Sequence, residues 1–174
     1  MEFDPARSVY LNDEITAHSS MEIIMGISKI YTNNPVLPIT LFINSTGGNI
    51  IDAFAIYEYV MRMLKPNFQT VVLGEASSMA VLLLLMGDKR LMAQTAFMRF
   101  HKFSYTPREV FPITSSLARK IRQGLGESEK KYTEIVAERS GGRTSQKQAL
   151  ILMRNEVLVS ATKAVELGLA HEIL

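Results

Sequence analysis

The residues Met79-Ala80-Val81-Leu82-Leu83-Leu84-Leu85-Met86 form an unbroken apolar run. A helix that is apolar all round cannot lie on a surface, so other elements must enclose it. The run is also far too short to cross a bilayer, which takes about 20 residues. Enclosure needs a sizeable core, and 174 residues at 47% hydrophobic supply one. A chain of this size buries about 70% of its unfolded surface, and its length fits one domain.

What surrounds the run alternates between short β-rich segments and longer helical ones, the pattern of an α/β layer fold. Residues 8–11 read as a strand, followed by a helix over 15–31 that Asn12 or Asp13 can cap and Asn33-Asn34-Pro35 ends. Residues 39–44 form a second strand. A helix over 50–64 follows, with Ile50, Phe54, Tyr57, Met61 and Leu64 on one face and Pro66 behind it. Residues 70–74, 90–93 and 96–100 read as further strands. The pattern lapses from Ser104 to Pro112, a charged helix softened at Gly124 and Gly126 runs to about Glu138, and a shorter one reaches Asn155. Residues 157–159 look extended, Ser160 caps a last helix stopped by Gly168, and 169–174 close the chain.

Composition removes several function classes. Lys and Arg number 19 against 17 Asp and Glu, a net charge of +2 with the signs interspersed, so nothing demands nucleic acid or an anionic membrane. Without cysteine there is no disulfide framework, thiolate nucleophile or Cys-type zinc site. Residues 1–5 lack the form of a signal peptide. The expectation is a soluble, cytoplasmic protein needing no cofactor or metal.

Three places set polar or glycine residues against buried elements. Asn44-Ser45-Thr46-Gly47-Gly48 directly follows a strand, and its paired glycines either make a tight turn or present main-chain N–H groups to a negative oxygen. Gly74-Glu75-Ala76-Ser77-Ser78-Met79 joins a strand to the buried helix, where a serine is either an N-cap or a nucleophile at the positive end of the helix dipole. His101 ends an apolar β run, the position from which a general base reaches a strand-end serine, although a histidine there is commonly structural. His18 and His171 read as surface residues. A triad also needs an acid to fix the imidazole tautomer, and one late in the chain must be Glu, since no Asp follows Asp88.

Together these segments resemble the ClpP family, the serine peptidases of ATP-dependent Clp proteases. Ile43-Asn44-Ser45-Thr46-Gly47-Gly48 is similar to that family's Ile-Asn-Ser-Pro-Gly-Gly, and Gly74-Glu75-Ala76-Ser77-Ser78-Met79-Ala80 to its Gly-Gln-Ala-Ala-Ser-Met-Gly. Met98-Arg99-Phe100-His101 resembles the strand ending in its catalytic His. Ser160-Ala161, Ala164 and Glu166-Leu167-Gly168-Leu169 resemble its closing Ser-Ala-x-Glu-Ala-x-x-x-Gly-Leu. The resemblance runs from Arg7 onward.

It implies one ClpP-like peptidase domain over 1–174, a crotonase-like spiral of ββα units with a helical handle over about 104–138. It implies Ser78 as nucleophile, His101 as base, and the N–H groups of Gly48 and Met79 as oxyanion hole. Counting back from Ser160-Ala161, Glu156 stands where the family has its catalytic Asp, with Asn155 as an alternative orienter of His101. The implied partners are further copies in a heptameric ring, single or double, an AAA+ unfoldase, and polypeptide substrates. Val157 stands where a basic residue often helps join two rings, and Ser104 to Pro112 replaces the Gly/Gln-rich handle strand, so single or loosely paired, salt-sensitive rings are expected. Residues 1–6 offer no axial-loop segment, which predicts an ungated entrance.

Three other functions compete. A catalytically silent ring subunit assembling with active paralogues is one. An acyl-CoA enzyme of the crotonase fold would use paired carboxylates, and Glu75 is the only acid in the serine motif. A serine–lysine peptidase would need Lys102, which on a strand points away from the His101 face.

Overall fold

The computed structural model describes residues 3–105 and 112–174. Strand β1 (Ser8–Leu11) leads to helix α1 (Ala17–Asn33), strand β2 (Ile39–Ser45) and helix α2 (Ile50–Glu58), which continues as a π-helical turn, Tyr59–Leu64. Strand β3 (Phe68–Ser77) feeds helix α3 (Met79–Leu84), followed by β4 (Lys89–Met92) and β5 (Phe97–Arg99). Helix α4 (Ser115–Arg139), α5 (Gln146–Arg154), β6 (Leu158–Ser160), α6 (Ala161–Glu166) and β7 (Glu172–Ile173) complete the order.

The main sheet runs β1-β2-β3-β4-β7, every pair parallel. β2 reads as a continuous apolar strand because helices cover a parallel sheet on both faces. Every residue from Met79 to Met86 has 0% of its surface exposed, so the apolar run lies at the centre as its composition requires. Arg90 and Arg139 close the layer around it by donating to main-chain carbonyls at helix ends. Arg90 reaches Gly87, Arg139, Gly168 and Leu169 oxygens, and Arg139 reaches those of Leu85, Met86 and Gly87. Burial, and then the neighbouring Arg139, lowers the Arg90 pKa to about 10.

One feature of the sheet positions the site. The first half of β3 pairs with β4 through Gln69–Val72, whereas its last residues, Glu75–Ser77, pair with β5 in register Ser77 to Arg99. β5 then pairs antiparallel with β6. β3 is therefore longer than residues 70–74, because the stretch that reads as a turn is held in a second ladder.

Other boundaries also differ from the sequence expectation. Thr16, not Asn12 or Asp13, caps α1, since its side chain accepts from Ser19 N–H while Ser19 Oγ accepts from Thr16 N–H. The helix over 50–64 keeps α geometry only to Glu58 and stops at Lys65 with φ 52°, before Pro66. α4 is unbroken through Gly124 and Gly126: both lie on an open face, and Tyr132 and Val136 anchor the helix to the core. A glycine weakens an exposed helix by about 1 kcal/mol without breaking it. Of the handle expected over about 104–138, residues 106–111 lie outside the described residues.

Among the described residues, no helix is long and apolar enough to cross a membrane. Several apolar side chains remain exposed on the first two helices and the turn after them: Met21 by 56%, Met25 by 64%, Ile51 by 78% and Met63 by 75%.

Candidate active site

Ser78 joins β3 to α3 with φ 54° and ψ −123°, one of three non-glycine residues with positive φ among those described. Such a backbone is rare for an L residue and persists only where the surroundings over-determine it. Its N–H donates to Arg99 O (2.8 Å), and its carbonyl accepts from Val81 N–H (3.2 Å) and from the Tyr132 hydroxyl (3.3 Å). The Ser78 side chain makes no capping hydrogen bond to α3, which removes the N-cap role for this residue. Ser77 differs. Its hydroxyl donates to the Glu75 carboxylate, which also lies 3.8 Å from Arg99. The only acid of the motif is thus engaged within its own strand pair.

The glycine turn packs directly on this serine. Gly47 has φ 94° and Gly48 φ 146°, and a Cβ on Gly47 would sit 2.6 Å from both Ser77 O and Ser78 Cβ, and 3.0 Å from Met79 N. The turn is fixed from the other side by Ile15, whose N–H donates to Gly47 O (2.7 Å) and whose carbonyl accepts from Asn49 N–H (2.8 Å). In a parallel bridge of this kind the residue between the two partners turns its own N–H and C=O away. Gly48 N–H is therefore directed off the bridge, and Met79 N–H is the first, intrinsically unpaired donor of α3.

Ser78, His101, Gly48 and Thr46 line one groove of about 940 Å³, together with Ile15 and Tyr105. His101 Nδ1 is 2.7 Å from the carbonyl oxygen of Lys102. A carbonyl only accepts, so Nδ1 carries the proton and the Nε2 lone pair of the neutral ring is free. Glu156 does not line this groove. It is exposed and lines a separate cavity of about 250 Å³ with His101, Thr46, Ser77 and Arg99. Its own backbone is left-handed, with φ 51°. Among the described residues none of Glu156, Asn155 and Ser78 is hydrogen-bonded to His101, and Asn155 lines neither cavity.

His18 is on the surface beside Glu22, 3.4 Å away. His171 is exposed but not idle, since its Nδ1 accepts from Arg90 N–H (3.2 Å). Burial, then Arg90, Arg139 and Arg143, hold its pKa below the ordinary 6.5. Tyr132, far along the chain in α4, reaches the Ser78 turn without any motif to mark it. Only its place among core-facing residues of that helix is visible in the sequence.

The mixed α/β architecture, helices packed on a mainly parallel sheet, is that of the ClpP-type fold. The family model described as Clp protease matches residues 2–174, and the chain belongs to that family.

Proposed function

We propose that the protein is a serine endopeptidase subunit of a self-compartmentalised Clp-type protease, with Ser78 as nucleophile, His101 as general base and Glu156 as the acid of the triad. The observation that carries this reading is Ser78: positive φ, no capping bond, and a glycine turn pressed on its Cβ. A capping serine needs none of these. Ser78 Oγ attacks the peptide carbonyl while His101 Nε2 takes its proton and then delivers it to the leaving amine. The N–H groups of Gly48 and Met79 receive the charge that develops on the carbonyl oxygen. Glu156, across the small cavity, steadies the imidazolium that forms in the transition state.

The exposed Met21, Met25, Ile51 and Met63 favour assembly with further copies, since a lone subunit rarely leaves so many large apolar side chains open. A heptameric ring would confine the groove, so that extended polypeptide enters and folded protein does not. An AAA+ unfoldase would then supply the unfolded substrate.

The second reading is a weakly active or silent ring subunit that assembles with active paralogues. Its support is the Nδ1 bond of His101, which goes to Lys102 O and not to a carboxylate. One experiment separates the two: a fluorophosphonate probe with site mapping, run beside native mass. Labelling at Ser78, lost in Ser78→Ala and kept in Ser77→Ala, is expected. A ring that takes no label at Ser78 would favour the silent subunit.

A further inference from the structure

We propose that Tyr132 is a positioning residue for the nucleophile, its hydroxyl holding the Ser78 carbonyl so that Ser78 Oγ stays in the attacking geometry. This rests on the serine-peptidase reading. The positive-φ backbone at Ser78 is imposed by its neighbours, and three of the restraints come from nearby strands and turns: Arg99 O on its N–H, Val81 N–H on its carbonyl, and Gly47 against its Cβ. The fourth comes from α4. Tyr132 is 54 residues away in sequence, and its hydroxyl donates to Ser78 O at 3.3 Å.

The ring of Tyr132 is placed as deliberately as its hydroxyl. It is 1% exposed and packs edge-to-face on Phe100 and Phe103, with centroids 6.4 and 5.3 Å away. Those two residues bracket His101 and Lys102, the segment that carries the base and the carbonyl orienting it. One side chain thus touches the nucleophile turn through its oxygen and the base segment through its ring. A phenylalanine would serve the aromatic cluster equally well. What the phenol adds is a buried donor, and Ser78 O is its only hydrogen-bond partner among the described residues. Burial pushes the phenol pKa far above the ordinary 10, so the group remains a neutral donor at any working pH.

Tyr132→Phe removes the donor and keeps the ring. It orphans nothing, because Ser78 O still accepts from Val81 N–H. In the full chain, the rate of fluorophosphonate labelling at Ser78 and kcat for a peptide should both fall by roughly ten- to a hundredfold, the range expected for a small misplacement of a reacting atom. KM should stay within about twofold and the acid limb of the pH profile should not move, since His101 keeps its partner. Phe103→Leu serves as the packing control, because it loosens the Tyr132 ring but leaves the hydroxyl. A labelling rate in Tyr132→Phe within twofold of wild type overturns the proposal. So does an equal fall in Phe103→Leu at matched thermal stability, which would make the role one of packing. A wild-type chain that takes no label at Ser78 overturns the peptidase reading and this proposal together, whereas normal wild-type labelling with an unaffected Tyr132→Phe overturns this proposal alone.

Discussion

Gly47→Ala asks the sharpest question of the site. The new Cβ would lie 2.6 Å from Ser77 O and from Ser78 Cβ, while ordinary contact begins near 3.4 Å. The glycine turn and the serine turn must therefore part by about 0.8 Å, the difference between those two distances. The backbone adds its own cost, since φ 94° is a region an L residue adopts only under strain, at about 1–3 kcal/mol. Taking ~2 kcal/mol, a chain of this length should melt roughly 4–8 °C lower. Activity should suffer more than stability. A shift approaching 1 Å between reacting groups costs on the order of 10²-fold in rate, and here it separates Gly48 N–H from Ser78 as well.

The natural comparator is Gly141→Ala, at φ 64° with nothing within 4 Å of the new Cβ, which carries backbone strain without collision. Peptide hydrolysis, probe labelling at Ser78 and thermal melts of both variants form the assay. Gly141→Ala should lose stability and keep its labelling rate, whereas Gly47→Ala should lose both. Labelling of Gly47→Ala at the wild-type rate, or an equal loss in the two variants, would refute the claim that the glycine turn sets the serine.

Three further outcomes are expected. Glu156→Gln should lower kcat, though by less than the roughly 10⁴ that follows loss of an orienting carboxylate, because the Lys102 carbonyl already holds the His101 tautomer, and Glu156→Asp should be tolerated; near-normal turnover in Glu156→Gln would remove Glu156 from the triad. Met21 and Met25 sit one helical turn apart on the open face of α1, so the double change to Glu should shift native mass from rings toward smaller species, and unchanged rings would place the interface elsewhere. For His171 the folded pKa lies below the unfolded 6.5, so the unfolded state binds the proton more readily; its contribution to stability is complete above about 6.5 and is lost as pH falls through the folded value. Urea titrations over that range should show His171→Gln with a flatter pH dependence than wild type, and parallel curves would exclude this source.

The legible parts of the molecule are those that one segment decides alone. The run 79–86 had to be interior, because no neighbour could alter the burial that its composition demands, and the apolar residues 39–44 read as a strand from their own composition. Ser78, Gly47, Gly48 and His101 could be singled out because strand-end chemistry leaves a mark on residue type. The choice between Ser77 and Ser78 as an N-cap was open on type alone, and what separates them is a partner: Ser77 Oγ is spent on Glu75, and Ser78 Oγ is not spent on α3. Groups that act through the main chain leave no such mark. Any residue could supply the Lys102 carbonyl that fixes the His101 tautomer, and Tyr132 reads as one more core aromatic. The end of β3 was hidden for a related reason, since Glu75–Ser77 become a strand only when β5 arrives beside them.

That change of partner along β3 explains why the serine, the glycine turn and the histidine meet. β2 and β3 run in register from Ile39 with Phe68 to Ile43 with Val72, then slip at a bulge so that Ser45 faces Ala76. Asn44 fills the slip: its Oδ1 accepts from Glu75 N–H (3.1 Å) and its Nδ2 donates to Asn12 (2.9 Å). The bulge lengthens β3 relative to β2 by two residues, which puts Gly47 level with the end of β3 and against Ser78 instead of short of it. β5, entering beside the same three residues, then delivers Arg99 O to the Ser78 N–H and carries the chain on to His101. A sheet paired without slippage would leave the glycine turn and Ser78 at different heights. The irregularity in β2 and β3 is therefore part of how the site is built, with Asn44 satisfying the backbone that the slip would otherwise leave unpaired.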